Sequence, residues 1–517
     1  IDSATGQVTF TPTDKSYTGA VTPAKVQAES SNGIKVDTTY TPEIVPVTPT
    51  ATPAETTDIQ GATQTGKPEF KGGTVTVDLS LIHVAINEAV PATFDDGSTT
   101  KTVDGVGTYT VAADGTVTFV PEKSFVGTAP AVTVVREDKN GTKASATYTP
   151  TVTPVTPTAT PVETTDIQGA TQTGKPVFTE GDSRVPMNDD VPATFDDGST
   201  TKSVDGVGTY TVAADGTVTF VPEPSFTGTA PAVTVVREDK NGTKASATYT
   251  PSVTPITVTP TDKVSADIQN VPQTQTPTFD LSNDKTAEIT SKKLVDPATG
   301  QPTDETTVTV AGEGSYTIDP TTGAVTFTPE KDFVGTAKGV TVQATATITN
   351  ANGKTATITS DATYTPTVVP AVPTANPATS KDIQGATQTG TPTFAGTTVQ
   401  VNGEDKAITI KDNSYTLLDN DGNEVTSTPA YAADGTTEIG TYSIDSATGQ
   451  VTFTPTDKSY TGVVTPAKVQ AESSNGIKVD TTYTPEIVPV TPTATPAETK
   501  DIQGATQTGK PEFKGGT

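Results

Sequence analysis

Apolar and polar residues alternate through GTYTVAADGTVTFVP, where Tyr109 and Val111, then Val117 and Phe119, are interleaved with threonines. A period of two, broken at Ala113-Asp114-Gly115, predicts a β-hairpin with one face in a core and a threonine-bearing face in solvent. The next stretch, PAVTVVREDKNGTKASATYTP, repeats the pattern: Val132 and Val134 lead to Asn140-Gly141, and Ala144, Ala146 and Tyr148 return. Asn-Gly suits a two-residue hairpin loop in which both central residues take positive φ. Asn32, Asn241, Asn352 and Asn475 are likewise followed by glycine. Threonine, a good strand former, fills most outward positions. No segment sustains apolar spacing at 3.6 residues with caps, so helix is expected to be minor.

These hairpins recur. The phrase DIQGATQTGKPEF opens at Asp58 and returns from Asp501, with variants opening at Asp166, Asp267 and Asp382; the spacings are 108, 101, 115 and 119. The tyrosines of the TYTP ending, Tyr40, Tyr148, Tyr249, Tyr364 and Tyr483, follow the same four spacings. Residues 1–74 match 444–517 except that Ala20 becomes Val463 and Thr57 becomes Lys500. Pro91–Pro154 matches Pro192–Pro255 with four differences. Near-identity at both levels points to tandem duplication and an array whose unit number varies.

After each TYTP comes a tract such as TVTPVTPTATPVETT, in which proline fixes φ and disfavours helix in the residue before it. We read these tracts as semi-rigid extended connectors, with an edge strand in part of them left open. The expected organisation is the C-terminal half of a repeat at 1–42, modules at 58–150, 166–251, 267–366 and 382–485, and the start of another repeat at 501–517. Linkers are expected at 43–57, 151–165, 252–266, 367–381 and 486–500. Several short strands per unit, separated by turn signals, predict an all-β tandem array of β-sandwich modules joined by Pro/Thr-rich linkers. The chain opens inside a repeat, without a signal peptide, and is expected to be a piece of a longer protein.

Composition narrows the functional classes. Hydrophobic residues make up 32% and aromatic residues 5%, with no Trp, so any cores are small and divided among modules. Sixty acidic residues against 32 basic ones give a net charge of −28, which argues against nucleic acid or anionic lipid as a partner. With no Cys there is neither a disulfide framework nor a thiolate metal site. No run approaches the roughly 18 apolar residues of a membrane span.

The order DIQGATQTG, GTYTVAADGTVTFVPEKSFVGTAPAVTVV, NGT and ATYTPTVTP, repeated in variant form as GSYTIDPTTGAVTFTPEKDFVGTA from Gly314 to Ala337, resembles the CshA-type fibril repeat of cell-wall-anchored streptococcal adhesins and related Gram-positive surface proteins. The resemblance covers essentially the whole chain, although unit lengths vary from 101 to 119. It implies a β-sandwich shaft on the cell surface that carries a separate adhesive domain, lying outside this sequence, outward from the wall.

Candidate chemistry is sparse. His83 is the single histidine, so no Ser-His-Asp arrangement and no multi-histidine metal site can be built in each unit. It alternates with apolar neighbours in LIHVAIN and reads as a strand residue. The carboxylate pairs Asp95-Asp96 and Asp196-Asp197 lie in the turn signal DDG, and Asp114, Asp215 and Asp434 precede glycine as turn formers. Asp419, Asp421 and Asn423 alternate as at the start of a calcium loop, but the glycine comes two residues early and no suitably placed glutamate follows. A Lys-Asn crosslink involving Lys67, Lys175 or Lys510 is disfavoured because Thr276 and Thr391 stand at that place in two units. Asn140-Gly141-Thr142 and Asn241-Gly242-Thr243 match the N-glycosylation pattern but read better as turns. No catalytic, cofactor-binding or metal-binding residue is assigned, and no enzyme activity is expected. In the DIQ phrase, Ile59 and Phe70 with their equivalents are apolar anchors. The phrase is expected to open each module near its junction with the preceding one, its Gln and Thr side chains serving backbone hydrogen bonds, with a repeated ligand site as the sharper alternative.

The functional expectation is a structural shaft of an extracellular fibril, acting mechanically, with lateral contact between fibrils open. The alternative is that the modules themselves bind a host ligand or neighbouring fibrils by avidity. Marginal folding of single units is a third reading, against which the matched hairpins count.

Overall fold

The alternation seen in the sequence becomes two facing sheets in each of the four complete modules. The computed structural model describes residues 1–516, which contain strands and turns and no helix. Ile1–Pro255 with Thr349–Lys354 form one compact unit, and Ile256–Ile348 with Thr355–Thr517 form a second.

In the first unit, one sheet of the module around residue 100 orders Thr100–Val103, Gly107–Val111, Val117–Pro121 and Gln64–Gly66, all antiparallel. The other sheet centres on the long strand Lys143–Thr153, which pairs with Val132–Glu137 and Gly127–Thr128, while Thr93–Phe94 lies beyond Val132–Glu137. Tyr109 and Phe119 are cross-strand partners with ring centroids 4.6 Å apart. They meet Phe94, Val134 and Tyr148 of the facing sheet in a core whose members are almost fully buried. The same pairing recurs in the next module, where Tyr210 and Phe220 are also 4.6 Å apart, and the two modules of the second unit repeat it with Tyr316–Phe327 and Tyr442–Phe453. Outward threonines pair across strands, as Thr307 with Thr317 at 2.9 Å.

The hairpin loops differ from the two-residue form expected for Asn-Gly. The Gly141 N–H donates to the Asp138 carbonyl at 2.9 Å and the Asp138 N–H to the Thr142 carbonyl at 3.0 Å. Gly141 takes φ 85° while Asn140 does not take a positive value. This is a type I turn followed by one left-handed residue, the longer hairpin solution. The buried Asp138 decides it: its Oδ1 accepts the N–H groups of Asn140 and Thr142, both at 2.9 Å, and so organises three further residues of loop.

The Pro/Thr-rich tracts, expected as extended connectors, hold strands. Before the first full module, Thr50–Thr52 pairs antiparallel with Glu69–Lys71, and Ala54–Ile59 pairs parallel with the second half of Lys143–Thr153 in the register Tyr148↔Ala54 to Thr153↔Ile59. Pro53 separates the two strands, so Ala54–Ile59 itself is free of proline and pairs along the sheet edge with every N–H available. Val162–Ile167, Lys263–Ile268 and Ala378–Ile383 repeat the parallel pairing over six residues each.

Candidate functional site at the module ends

Because the first and last strands run parallel, the DIQ phrase lies beside the place where the chain leaves its module. The structure therefore corrects the expectation that the phrase faces the preceding module. Ile59 ends the first strand, and a turn closes with the Ala62 N–H donating to the Ile59 carbonyl at 3.1 Å. Gly61 sits at φ 81°, as the third residue of a type II turn requires. Its equivalents Gly169 and Gly385 take φ 80° and 82°, and Asn270, a residue type that tolerates this region, takes 67°.

The two glutamines of the phrase are buried and fully engaged. Gln60 donates from Nε2 to the Lys123 carbonyl at 2.8 Å and accepts the Val155 N–H at 3.2 Å, fastening the departing chain to the module. Gln64 completes a directed chain of hydrogen bonds. The Thr56 hydroxyl donates to Gln64 Oε1 at 2.6 Å, so the Tyr148 hydroxyl, 2.7 Å away, is the donor to Thr56, and Gln64 Nε2 donates to the Thr151 carbonyl at 2.9 Å. The module around residue 210 uses Tyr249, Thr164, Gln172 and the Ser252 carbonyl in the same way. In the second unit, Ser265 and Ser380 replace the threonine. The expectation that the phrase's polar side chains serve backbone hydrogen bonding holds for both glutamines, and the recurrence of Gln64 as Gln172, Gln273 and Gln388, through changes at neighbouring positions, was the signal of its burial.

Onto this end packs the Asn-Gly turn of the following module. Within the first unit, Asn241 Nδ2 donates to the Gln60 carbonyl at 2.9 Å, and a Cβ on Gly61 would collide with the Asn241 amide. Within the second, Asn475 Nδ2 donates to the carbonyls of Ala371 at 3.0 Å and Gln269 at 3.3 Å, and Asn270 Nδ2 to the Asn475 carbonyl at 3.1 Å. Here a small apolar cluster joins them: Ile268 and Ala371 with Val401 and Ile408, all buried. Ion pairs cross the same junctions, Arg184 to Asp58 at 2.8 Å and Lys406 to Asp267 at 3.8 Å. The Ile59 N–H, then the Arg184 guanidinium, hold the Asp58 carboxyl below the usual carboxylate range. Such exposed pairs contribute about 0–1 kcal/mol, so the amide contacts and buried apolar groups dominate each junction. Sequence reasoning read Asn241 and Asn475 as turn formers and missed this second role.

Gly61→Val is expected to destabilise this end by roughly 1–2 kcal/mol from the left-handed backbone alone, with a further loss where the branched side chain displaces Asn241. Gly61→Asn should cost less backbone strain, as Asn270 occupies the equivalent place. Urea melts of the two variants check this, and equal midpoints would refute the backbone argument.

The remaining candidates lie elsewhere. His83 is exposed on the hairpin strand Ser80–Val84, opposite Thr74. Asp95 and Asp96 both pair with Lys101, which also lies over the Phe94 ring at 5.5 Å. Lys67 and Lys175 pair on the surface with Asp114 at 2.8 Å and Asp215 at 2.7 Å. Asp419 organises its own loop: Oδ1 accepts the N–H groups of Asp421 at 2.9 Å and Asn423 at 2.8 Å, and Oδ2 accepts from Asn423 Nδ2 at 3.1 Å. Among the described residues no group of three or more His, Asp or Glu side chains is disposed to hold a metal ion.

Comparison with known proteins supplies the family. Among solved structures, the five-domain protocadherin gamma B2 ectodomain is 10% identical over 92% of this chain and 88% of its own, with a TM-score of 0.26. Mouse cadherin-23 EC22-24 is 12% identical over 63% of this chain and all of its own, with a TM-score of 0.25. At these scores neither likeness bears on the reading of this protein. No curated protein matches the chain. The family described as the surface adhesin CshA repetitive domain matches at residues 1–44, 46–152, 154–253, 255–368 and 370–487, each of the last four spans taking in a proline tract together with the sandwich that follows it. With nearly every residue inside these five matches, the chain belongs to the surface adhesin CshA repetitive domain family.

Proposed function

We propose that this array is the shaft of a surface fibril, an extended spacer that carries an adhesive domain away from a bacterial cell wall. The family makes the chain an adhesion-related extracellular repeat, and it points to a structural, non-enzymatic role. The observation that carries the shaft reading is the parallel pairing of first and last strands in all four modules. A chain that enters at one end of such a pair leaves at the other, about 20 Å further on for six residues, so each module adds length instead of doubling back. We place each module's start in the proline tract that supplies its first strand. The junction contacts of Asn241 and Asn475 favour stiff joints, and the net charge of −28 favours solubility over collapse.

Small-angle X-ray scattering on the whole chain tests this. Taking roughly 35 Å per module from its eleven-residue strands, an extended array has a radius of gyration of about 45 Å. A compact globule of this length gives about 24 Å and a disordered chain about 85 Å. A value near either of the latter two rejects the shaft.

A further inference from the structure

We infer that the parallel first and last strands of each module, pinned by the tyrosine–hydroxyl–glutamine chain, form a shear clamp that bears tension along the array. The inference rests on the shaft reading, which supplies the end-to-end load.

The geometry is the same four times. Load enters a module at the start of the first strand, beside Tyr148, and leaves at the end of the last strand, beside Ile59. The two strands are direct neighbours and parallel, so pulling them in opposite directions slides one along the other. Every hydrogen bond of the six-residue ladder is then strained together. In an adjacent antiparallel pair loaded at one end, the bonds would open one after another, each at low force.

Side chains reinforce the ladder across the sliding interface. Tyr148 on the last strand donates to Thr56 on the first, Thr56 to Gln64, and Gln64 back to the last-strand carbonyl of Thr151. The Thr153 hydroxyl also donates to the Asp58 carbonyl at 3.2 Å. Tyr249, Tyr364 and Tyr483 make the corresponding bonds to Thr164, Ser265 and Ser380 at 2.8, 2.7 and 2.6 Å. All four tyrosines are fully buried, which keeps water from competing for these bonds while the strands are in register. With no cysteine in the chain, no disulfide shares this load.

The test is single-molecule pulling of the whole chain by its ends, at constant force. Four unfolding events are expected. The clamp bounds differ between modules, so released lengths run from roughly 300 Å for the module around residue 210 to roughly 370 Å for the one around residue 440, and each event identifies its module. Tyr249→Phe should shorten the dwell time of the shortest event about tenfold, because the native bond it removes is one that must already be broken at the transition state for sliding. Thr164→Val, of similar volume, should do the same. Val212→Ala, in the opposite sheet, should lower chemical stability at least as much yet change that dwell time less than about twofold. The other three events serve as controls within each molecule.

The clamp is overturned if Val212→Ala shortens the dwell as much as Tyr249→Phe at equal chemical stability, or if no event of the expected length outlasts the opening of a simple hairpin. The two readings fail separately. A compact chain by scattering rejects the shaft while four clamped events persist, whereas an extended chain with unresisted events keeps the shaft and rejects the clamp.

Discussion

Replacing Tyr249 by alanine is expected to unfold one module and leave its neighbours folded. The side chain is fully buried against the core of Tyr210, Phe220 and Val233, and its hydroxyl sits 2.8 Å from Thr164. Truncating a buried aromatic costs about 3–5 kcal/mol. Losing the hydroxyl also leaves the half-buried Thr164 oxygen without its donor, although Thr164 still donates to the buried Gln172. A domain of this size has roughly 5–15 kcal/mol in all, and the small cores here favour the low end. A urea melt followed by far-ultraviolet circular dichroism should split, with about a quarter of the strand signal lost at lower denaturant, since modules in an array couple only to their neighbours. A melt superimposable on that of the parent chain would show that this tyrosine does not hold the two sheets together.

Alkali should destabilise every module progressively as pH rises above about 10. Burial raises the phenol of Tyr109 to about 12, with the nearby Tyr148 adding to the effect. Burial raises Tyr148, Tyr210, Tyr249, Tyr316, Tyr364, Tyr442 and Tyr483 in the same direction. A group held above its unfolded value of about 10 binds its proton more tightly in the folded state. Its stabilisation is therefore fully present below pH 10 and is lost as pH rises through the folded value. With two such tyrosines in each module the slope is steep, and ionisation is cooperative with unfolding. Absorbance at 295 nm and circular dichroism should change together. Tyrosinate forming near pH 10 with the strand signal intact would place these rings in water.

Local structure was readable wherever one face of a strand is buried. The pairs Tyr109–Val111 and Val117–Phe119 lie in the core as their alternation requires, and the glycines after Asp114 and Asn140 take the left-handed backbone. The loop form was not readable, because it depends on Asp138 being buried two residues before the Asn-Gly pair. The first strand was hidden by the proline tract that runs into it, and its partner lies about 95 residues away, beyond the reach of any local pattern. The junction was equally silent, since Asn241 and Asn475 have the same local role as the other turn asparagines and differ in what they touch.

Two stretches of nearly identical sequence separate what sequence determined from what tertiary structure decided. Residues 1–74 and 444–517 differ at two positions, and in both the AKVQAE segment forms a hairpin with KVDTTY, through Ala24–Glu29 with Lys35–Tyr40 and Ala467–Glu472 with Lys478–Val488. Period, turn and register are local properties of the peptide, so both copies share them. Burial is not local. Tyr483 is 0% exposed and Phe453 1%, because the sheet carrying one faces the sheet carrying the other. The sequence determined which side of each strand is apolar. Only the assembled sandwich, closed by a strand drawn from the proline tract, decided whether that side was removed from water.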